Sequence, residues 1–229
     1  MAGDALYRCR ATSILLTNWT EQLFGVSSAA FRAQSVLMHA MNTLLIAWLG
    51  AWRLVGWKLA VVAAGFFAVY EGHQEAVVWH ASSPALLVFF FALLALHAWI
   101  HWLKSGPRAG MAYGAAMVRF LLALFSKESG VATVPLLAGA GYLSQQPFAC
   151  VLKALAPFAA ISVLYASAIF TAQDTHLHLN DGTFAPSAAV AEVVARSSFR
   201  LLWIWGLAAV GFLAIRGLAS GRLVGGAAA

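Results

Sequence analysis

The chain has 229 residues, of which 62% are hydrophobic and only 10% are charged. Soluble domains carry about 25% charged residues, so the composition excludes an ordinary soluble core and predicts an integral membrane protein. The formal charge of +6 suits basic loops facing anionic lipid and cytoplasm. No basic stripe interleaved with exposed aromatics is present, so nucleic acid is not an expected partner.

The opening residues, MAGDALYRCR, lack the basic n-region and apolar h-region of a signal peptide. Residues 1–32 read as an outer amphipathic segment, in which Asn18-Trp19-Thr20 fits a glycosylation triplet of a kind common by chance. A spanning helix needs about 20 mostly apolar residues. Apolar runs bounded by polar punctuation predict spans over 33–52, 54–70, 84–103, 110–125, 130–144, 152–171 and 199–215. The fourth and fifth are short and read as tilted spans or half-helices. The expected fold is all-α: a polytopic membrane helical bundle of about seven transmembrane or half-membrane helices, with its N-terminus outside. A single domain covers 1–229, as an outer segment, a bundle over 33–170, an outer loop over 171–198 and a last span with an inner tail over 199–229.

Orientation follows from the loops. With the N-terminus outside, Arg53, Lys58, Lys104, Arg108, Lys153, Arg216 and Arg222 fall inside, in short basic loops. The acids, Asp4, Glu21, Glu71, Glu75, Glu128, Asp174, Asp181 and Glu192, all fall outside. Cys9 and Cys150 then lie on opposite sides, which argues against an internal disulfide. A plasma or bacterial inner membrane is expected rather than the endoplasmic reticulum.

Three polar clusters share the outer face: YEGHQEAVVWHASS at 70–83, SKES at 126–129 and TAQDTHLHLNDGTF at 171–184. In the first, Glu71 and Glu75 share a helical face with His73 between them and His80 beyond. Metal sites need converging neutral histidines and carboxylates. The spacing is not His-Glu-x-x-His, so no cofactor is assigned, and a divalent metal is kept only as the weaker alternative. Trp79 suits an anchor at headgroup level. Lys127 reads either as part of a solvated turn or as a cation at a cavity mouth, ready for a phosphate. Arg119 lies within the fourth span and is a functional candidate by position, with no partner legible. His39 and Asn42 share a face of the first span and suit helix–helix hydrogen bonds. His97 and His101 read as interfacial. HLHLNDGTF predicts a short extended segment and a tight turn, as a lid or a plain connector.

The order of these motifs resembles membrane glycosyltransferases of the C-type fold that use polyprenyl-phosphate sugars, in particular the protein O-mannosyltransferase-like group. The residues carrying the resemblance are Tyr7-Arg8, His39-Ala40-Met41-Asn42, then His73, Glu75, Val77 and Trp79, then Ser126-Lys127-Glu128-Ser129-Gly130 with Pro135 downstream. Cys9, Ser35, Glu71 and Ser83 depart from the family pattern. The resemblance implies inverting transfer of a sugar from a polyprenyl-phosphate donor to an unidentified acceptor on the outer face of the bilayer. It gives Lys127, Arg8 and Arg10 to the lipid phosphate. It gives His73, Glu75, Trp79, His80, Glu128, His39 and Asn42 to the shape of the pocket, with Glu75 and Glu128 orienting the cation or acceptor. The family's catalytic aspartate precedes its Tyr-Arg segment by a loop and a span. Its counterpart would fall before Met1, and Asp4 is too close to Tyr7 to replace it. The chain is therefore expected to lack that N-terminal span and aspartate loop, and no catalytic residue is assigned within it. A transporter-like bundle and an inactive structural remnant stay open as alternatives.

Overall fold

The computed structural model describes residues 9–105 and 109–172, together with Glu192, Ala195, Arg196 and Phe199. Arg8, the expected extended segment within 176–184 and nearly all of the seventh expected span lie outside the described residues. The chain divides into two compact units, Met1–Leu177 and His178–Ala229. In the second unit the four described residues are helical, and Arg196 pairs with Glu192 one turn away.

The described part of the first unit is helical throughout, without a strand. Its helices are α1 (Ala11–Phe24), α2 (Ser28–Trp48), α3 (Gly56–Val69), α4 (Gln74–Val78), α5 (Pro84–Lys104), α6 (Ala109–Leu124), α7 (Thr133–Leu143) and α8 (Phe148–Ala172). Local chemistry sets several of these boundaries. Gly25, at φ 67°, ends α1 in a conformation that glycine adopts without steric cost. The Ser27 hydroxyl caps α2 by accepting from the Ala30 N–H at 3.4 Å. Pro84 opens α5, where a missing N–H costs nothing.

The helix positions follow the apolar runs closely, but the lengths separate them. Among the described residues, two stretches, His80–Lys104 and Phe148–Ile169, are long and apolar enough to cross a membrane. The helices α3, α6 and α7 have 14, 16 and 11 residues. At about 1.5 Å per residue they fall short of the roughly 30 Å hydrocarbon core. Helix α2 has the length, with 21 residues, but carries Arg32, Gln34, His39 and Asn42.

One end of the bundle, here the upper end, carries the 70–83 turn and the α6–α7 turn. Helix α5 is central. Its Trp99 packs with Phe120 of α6, Leu137 of α7 and Phe158 of α8, all fully buried. The Trp99 and Phe158 rings meet edge to face at 5.7 Å, a favoured aromatic geometry.

Polarity is partly inverted relative to a soluble domain. Ser35, Asn42, Ser126 and Thr133 are among the largest fully buried side chains. Leu44, Trp48, Trp57, Leu59, Val62, Val69, Met111, Val118, Phe148 and Leu164 are all exposed.

Candidate functional site

Helix α1 organises the upper end. Arg10, Ser13, Thr17 and Thr20 recur at the i, i+3, i+7, i+10 spacing of one helical face, and Ser13 and Thr20 are buried. This polar face points into the protein. Leu15, Trp19 and Leu23, on the opposite face, are exposed. The α1 backbone is tied to the end of α6 by the Thr12 N–H, which donates to the Phe125 carbonyl at 3.0 Å. The Tyr165 hydroxyl of α8 donates to the Cys9 carbonyl at 3.0 Å. Burial pushes the Cys9 thiol pKa up.

The polar face of α1 reaches two of the motif turns. Arg10 Nη2 donates to both oxygens of Glu128, at 3.1 and 2.9 Å. About 10 Å further along the helix, seven residues at 1.5 Å each, the Thr17 hydroxyl meets His80 Nε2 at 3.3 Å. Thr20 then donates to the side-chain oxygen of Gln34 on α2 at 2.6 Å. One helix thus links the Ser126–Gly130 turn, the 70–83 turn and α2.

The 70–83 turn is not a plain loop. It folds as a 3₁₀ turn over Glu71–His73, the short helix α4, and a second 3₁₀ turn over His80–Ser82. The Ser82 hydroxyl holds Glu75 at 3.1 Å. Ser83 reaches His80 Nδ1 at 3.4 Å, so both His80 nitrogens have partners. The Phe31 ring lies 4.4 Å from the His80 ring. Beside them is a cavity of about 340 Å³ lined by Ser28, Phe31, Arg32, Ser35, Val78 and His80. That volume is within the range of small-ligand sites, about 300–1,000 Å³. Trp79 stands clear of the protein, 61% exposed.

His73 sits in an aromatic nest, 4.2 Å from the Phe67 ring, 5.4 Å from Tyr70 and 5.6 Å from His39. Burial holds its pKa below the ordinary histidine value, and repulsion from His39 adds to this. His39 bonds the Ala68 carbonyl of α3 at 3.2 Å. Asn42, completely buried, donates to the Leu86 carbonyl of α5 at 3.0 Å. The expected helix–helix hydrogen bonds of both residues are therefore present, each to a backbone carbonyl. No three His, Cys, Asp or Glu side chains converge among the described residues as a metal would require.

Lys127 has extended backbone, at φ −165° and ψ 154°, and is half-buried. Its ammonium has no hydrogen-bond or ion-pair partner among the described residues. Arg10, by contrast, is committed to Glu128. Gly130 lets the turn close: a Cβ there would lie 2.6 Å from the Ala123 carbonyl oxygen and 2.7 Å from Leu124 Cα.

Four features were not anticipated from the sequence. The Arg10–Glu128 pair joins two positions that carry no local signal for each other. Arg32 borders the upper cavity. Arg119 donates to the Leu94 carbonyl at 3.1 Å, and His97 meets the Leu45 carbonyl at 2.9 Å, so His97 is tied between helices rather than simply interfacial. The polar face of α1 was readable in its 3.6-residue spacing. No family model, curated protein or solved structure matches the chain.

Proposed function

We propose that the protein is a multi-pass membrane protein whose upper end binds the phosphate of a polyprenyl-phosphate sugar, as part of a glycosyltransferase that delivers the sugar to an acceptor on the outer side of a plasma or bacterial inner membrane. The observation that carries the reading is the state of Lys127. It is half-buried beside the Arg10–Glu128 pair, at the turn linked by α1 to His80, and its ammonium has no partner among the described residues. A cation so placed is available to an incoming phosphate, and it would offset the charge that grows on the leaving phosphate during transfer. Arg32 at the neighbouring cavity adds a second basic group. Arg10 acts through Glu128, fixing the turn that presents Lys127. His80, which α1 reaches through Thr17, forms the wall beside that cavity, with His73 and Glu75 in the same turn and His39 and Asn42 holding α2 to α3 and α5.

The membrane part of the reading has its own support. Apolar surface faces outward and hydroxyl and amide groups face inward, as expected where lipid is the solvent. Helix α1, with its polar face inward and Trp19 outward, suits a helix lying in the interface. The shorter apolar helices α3, α6 and α7 then cross as tilted or partial spans beside α5 and α8.

The test is binding of polyprenyl phosphate to the purified chain in nanodiscs, with Lys127→Gln as the comparison. The expected result is a loss of about tenfold or more, in line with the 1.5–3 kcal/mol of a hydrogen bond to a charged group. Equal binding by both proteins sinks the assignment of Lys127.

A further inference from the structure

A second cluster lies away from the upper end, in the groove between α5 and α6. The groove has a volume of about 370 Å³ and is lined by His97, His101, Met111 and Arg119, with small alanines at its floor. On α5, Leu94, His97, His101 and Lys104 follow the i, i+3, i+7, i+10 spacing of one face. Arg119 of α6 meets that face at its deep end, through the Leu94 carbonyl. A stripe of nitrogen donors therefore runs from the lower end of α5 to about half-way along it.

The donors are underused. Arginine offers five N–H donors, and Arg119 gives one hydrogen bond, to a carbonyl that cannot neutralise its charge. It has no carboxylate partner among the described residues. The groove lining contains no Asp or Glu at all. His101 and Met111 are exposed, so the groove is open along its side. A guanidinium without a carboxylate partner among the described residues, with the His101 imidazole on the same groove and no acid in its lining, calls for an anion from outside the chain. Its planar fork and the His101 imidazole suit the oxygens of a phosphate, while His97 has given its Nε2–H to the Leu45 carbonyl.

We infer that this groove is a binding site for an anionic phosphate group, with Arg119 and His101 as its principal ligands and His97 as the group that fixes the groove wall. The phosphate belongs either to the headgroup of an anionic phospholipid entering from the side or to free inorganic phosphate; the ligand chemistry is the same. The site rests on the membrane reading for its lipid source, and on no part of the sugar-transfer reading.

Native mass spectrometry of the full chain, released from micelles containing phosphatidylglycerol and phosphatidylcholine, tests it, alongside a titration with inorganic phosphate followed by thermal melting. Arg119→Gln and His101→Gln are the comparisons. His101 is exposed, so its variant keeps the fold if Arg119→Gln does not. Preferential retention of phosphatidylglycerol, reduced about tenfold in either variant, supports the site with a lipid as its source. Stabilisation by inorganic phosphate that both variants lose, without lipid retention, supports it with the free anion as its source. The inference is overturned if neither probe binds, or if the folded variants bind as the parent does. Flotation of the chain with vesicles after an alkaline wash reports on membrane insertion separately.

Discussion

Arg10 and Glu128 lie 118 residues apart in the chain, yet one guanidinium nitrogen of Arg10 donates to both carboxylate oxygens of Glu128. The pair is accessible, with side chains 41% and 43% exposed, so solvent screens much of its attraction. Glu128→Gln should lower stability by no more than about 1 kcal/mol. The difference from the parent should shrink as salt is raised. Thermal melting at low and high ionic strength checks both points. A loss that is large and insensitive to salt would mean that the pair does more than pin α1 to the α6–α7 turn.

Asn42 is a different case, because nothing screens it. It is fully buried, its amide donates to the Leu86 carbonyl, and its own oxygen has no hydrogen-bond partner among the described residues. Asn42→Ala removes the donor and leaves a buried carbonyl without its side-chain partner, at a cost of about 1–3 kcal/mol. Asn42→Leu, which replaces the amide with a similar apolar volume, tests packing separately. Melting temperatures should fall for both. A neutral Asn42→Ala would contradict the view that this hydrogen bond couples α2 to α5.

The contrast between these two pairs shows what a sequence can express. Apolar runs with polar ends are local, so α5 was expected at 84–103 and is found at Pro84–Lys104. The shared face of His39 and Asn42 is also local, and both make the interhelical hydrogen bonds expected of them. Span length was less legible, because an apolar run such as 130–144 hides the 3₁₀ turn over Glu128–Ala132 that shortens α7 to eleven residues. The partners of Arg10 and Arg119 were not legible. One is a distant carboxylate and the other a backbone carbonyl, and every residue carries a carbonyl.

Gly130 shows the cost of crowding at the motif turn. A Cβ at this position meets the backbone of Ala123 and Leu124 at 2.6–2.7 Å, and backbone cannot move aside as a flexible side chain can. Gly130→Ala should therefore destabilise by about 1–3 kcal/mol or more and should disturb Lys127 and Glu128 together. Melting measurements give the first effect. A parallel loss of polyprenyl-phosphate binding gives the second. A stable Gly130→Ala protein with full binding would show that the turn is not held this tightly.

His73 predicts a pH dependence with a definite sign. Burial, reinforced by His39, lowers its pKa in the folded protein below its ordinary value of 6.5. Between the two values the unfolded chain takes up a proton that the folded chain does not. Its contribution is therefore full above about pH 6.5 and declines as pH falls through that window. The parent should lose melting temperature on acidification more steeply than His73→Gln. Parallel curves for the two proteins would remove His73 as the source.

The two cysteines test the orientation. Both are free; Cys9 is half-buried and Cys150 is exposed near the start of α8. Thiolates are the reactive form, and burial raises the Cys9 pKa, so Cys9 should react with maleimides more slowly than Cys150 at neutral pH. With the N-terminus outside, Cys9 belongs to the outer face and Cys150 to the inner one. In sealed right-side-out vesicles, an impermeant maleimide should leave Cys150 of a Cys9→Ala protein unlabelled until detergent is added. It should label Cys9 of a Cys150→Ala protein slowly without detergent. The opposite pattern would invert the bundle, set the acidic turns and Lys127 on the inner side, and rule out a site for sugar transfer on the outer face. Labelling of both cysteines from outside would mean that an odd number of crossings does not separate them, leaving α5 and α8 as the spans to be mapped first.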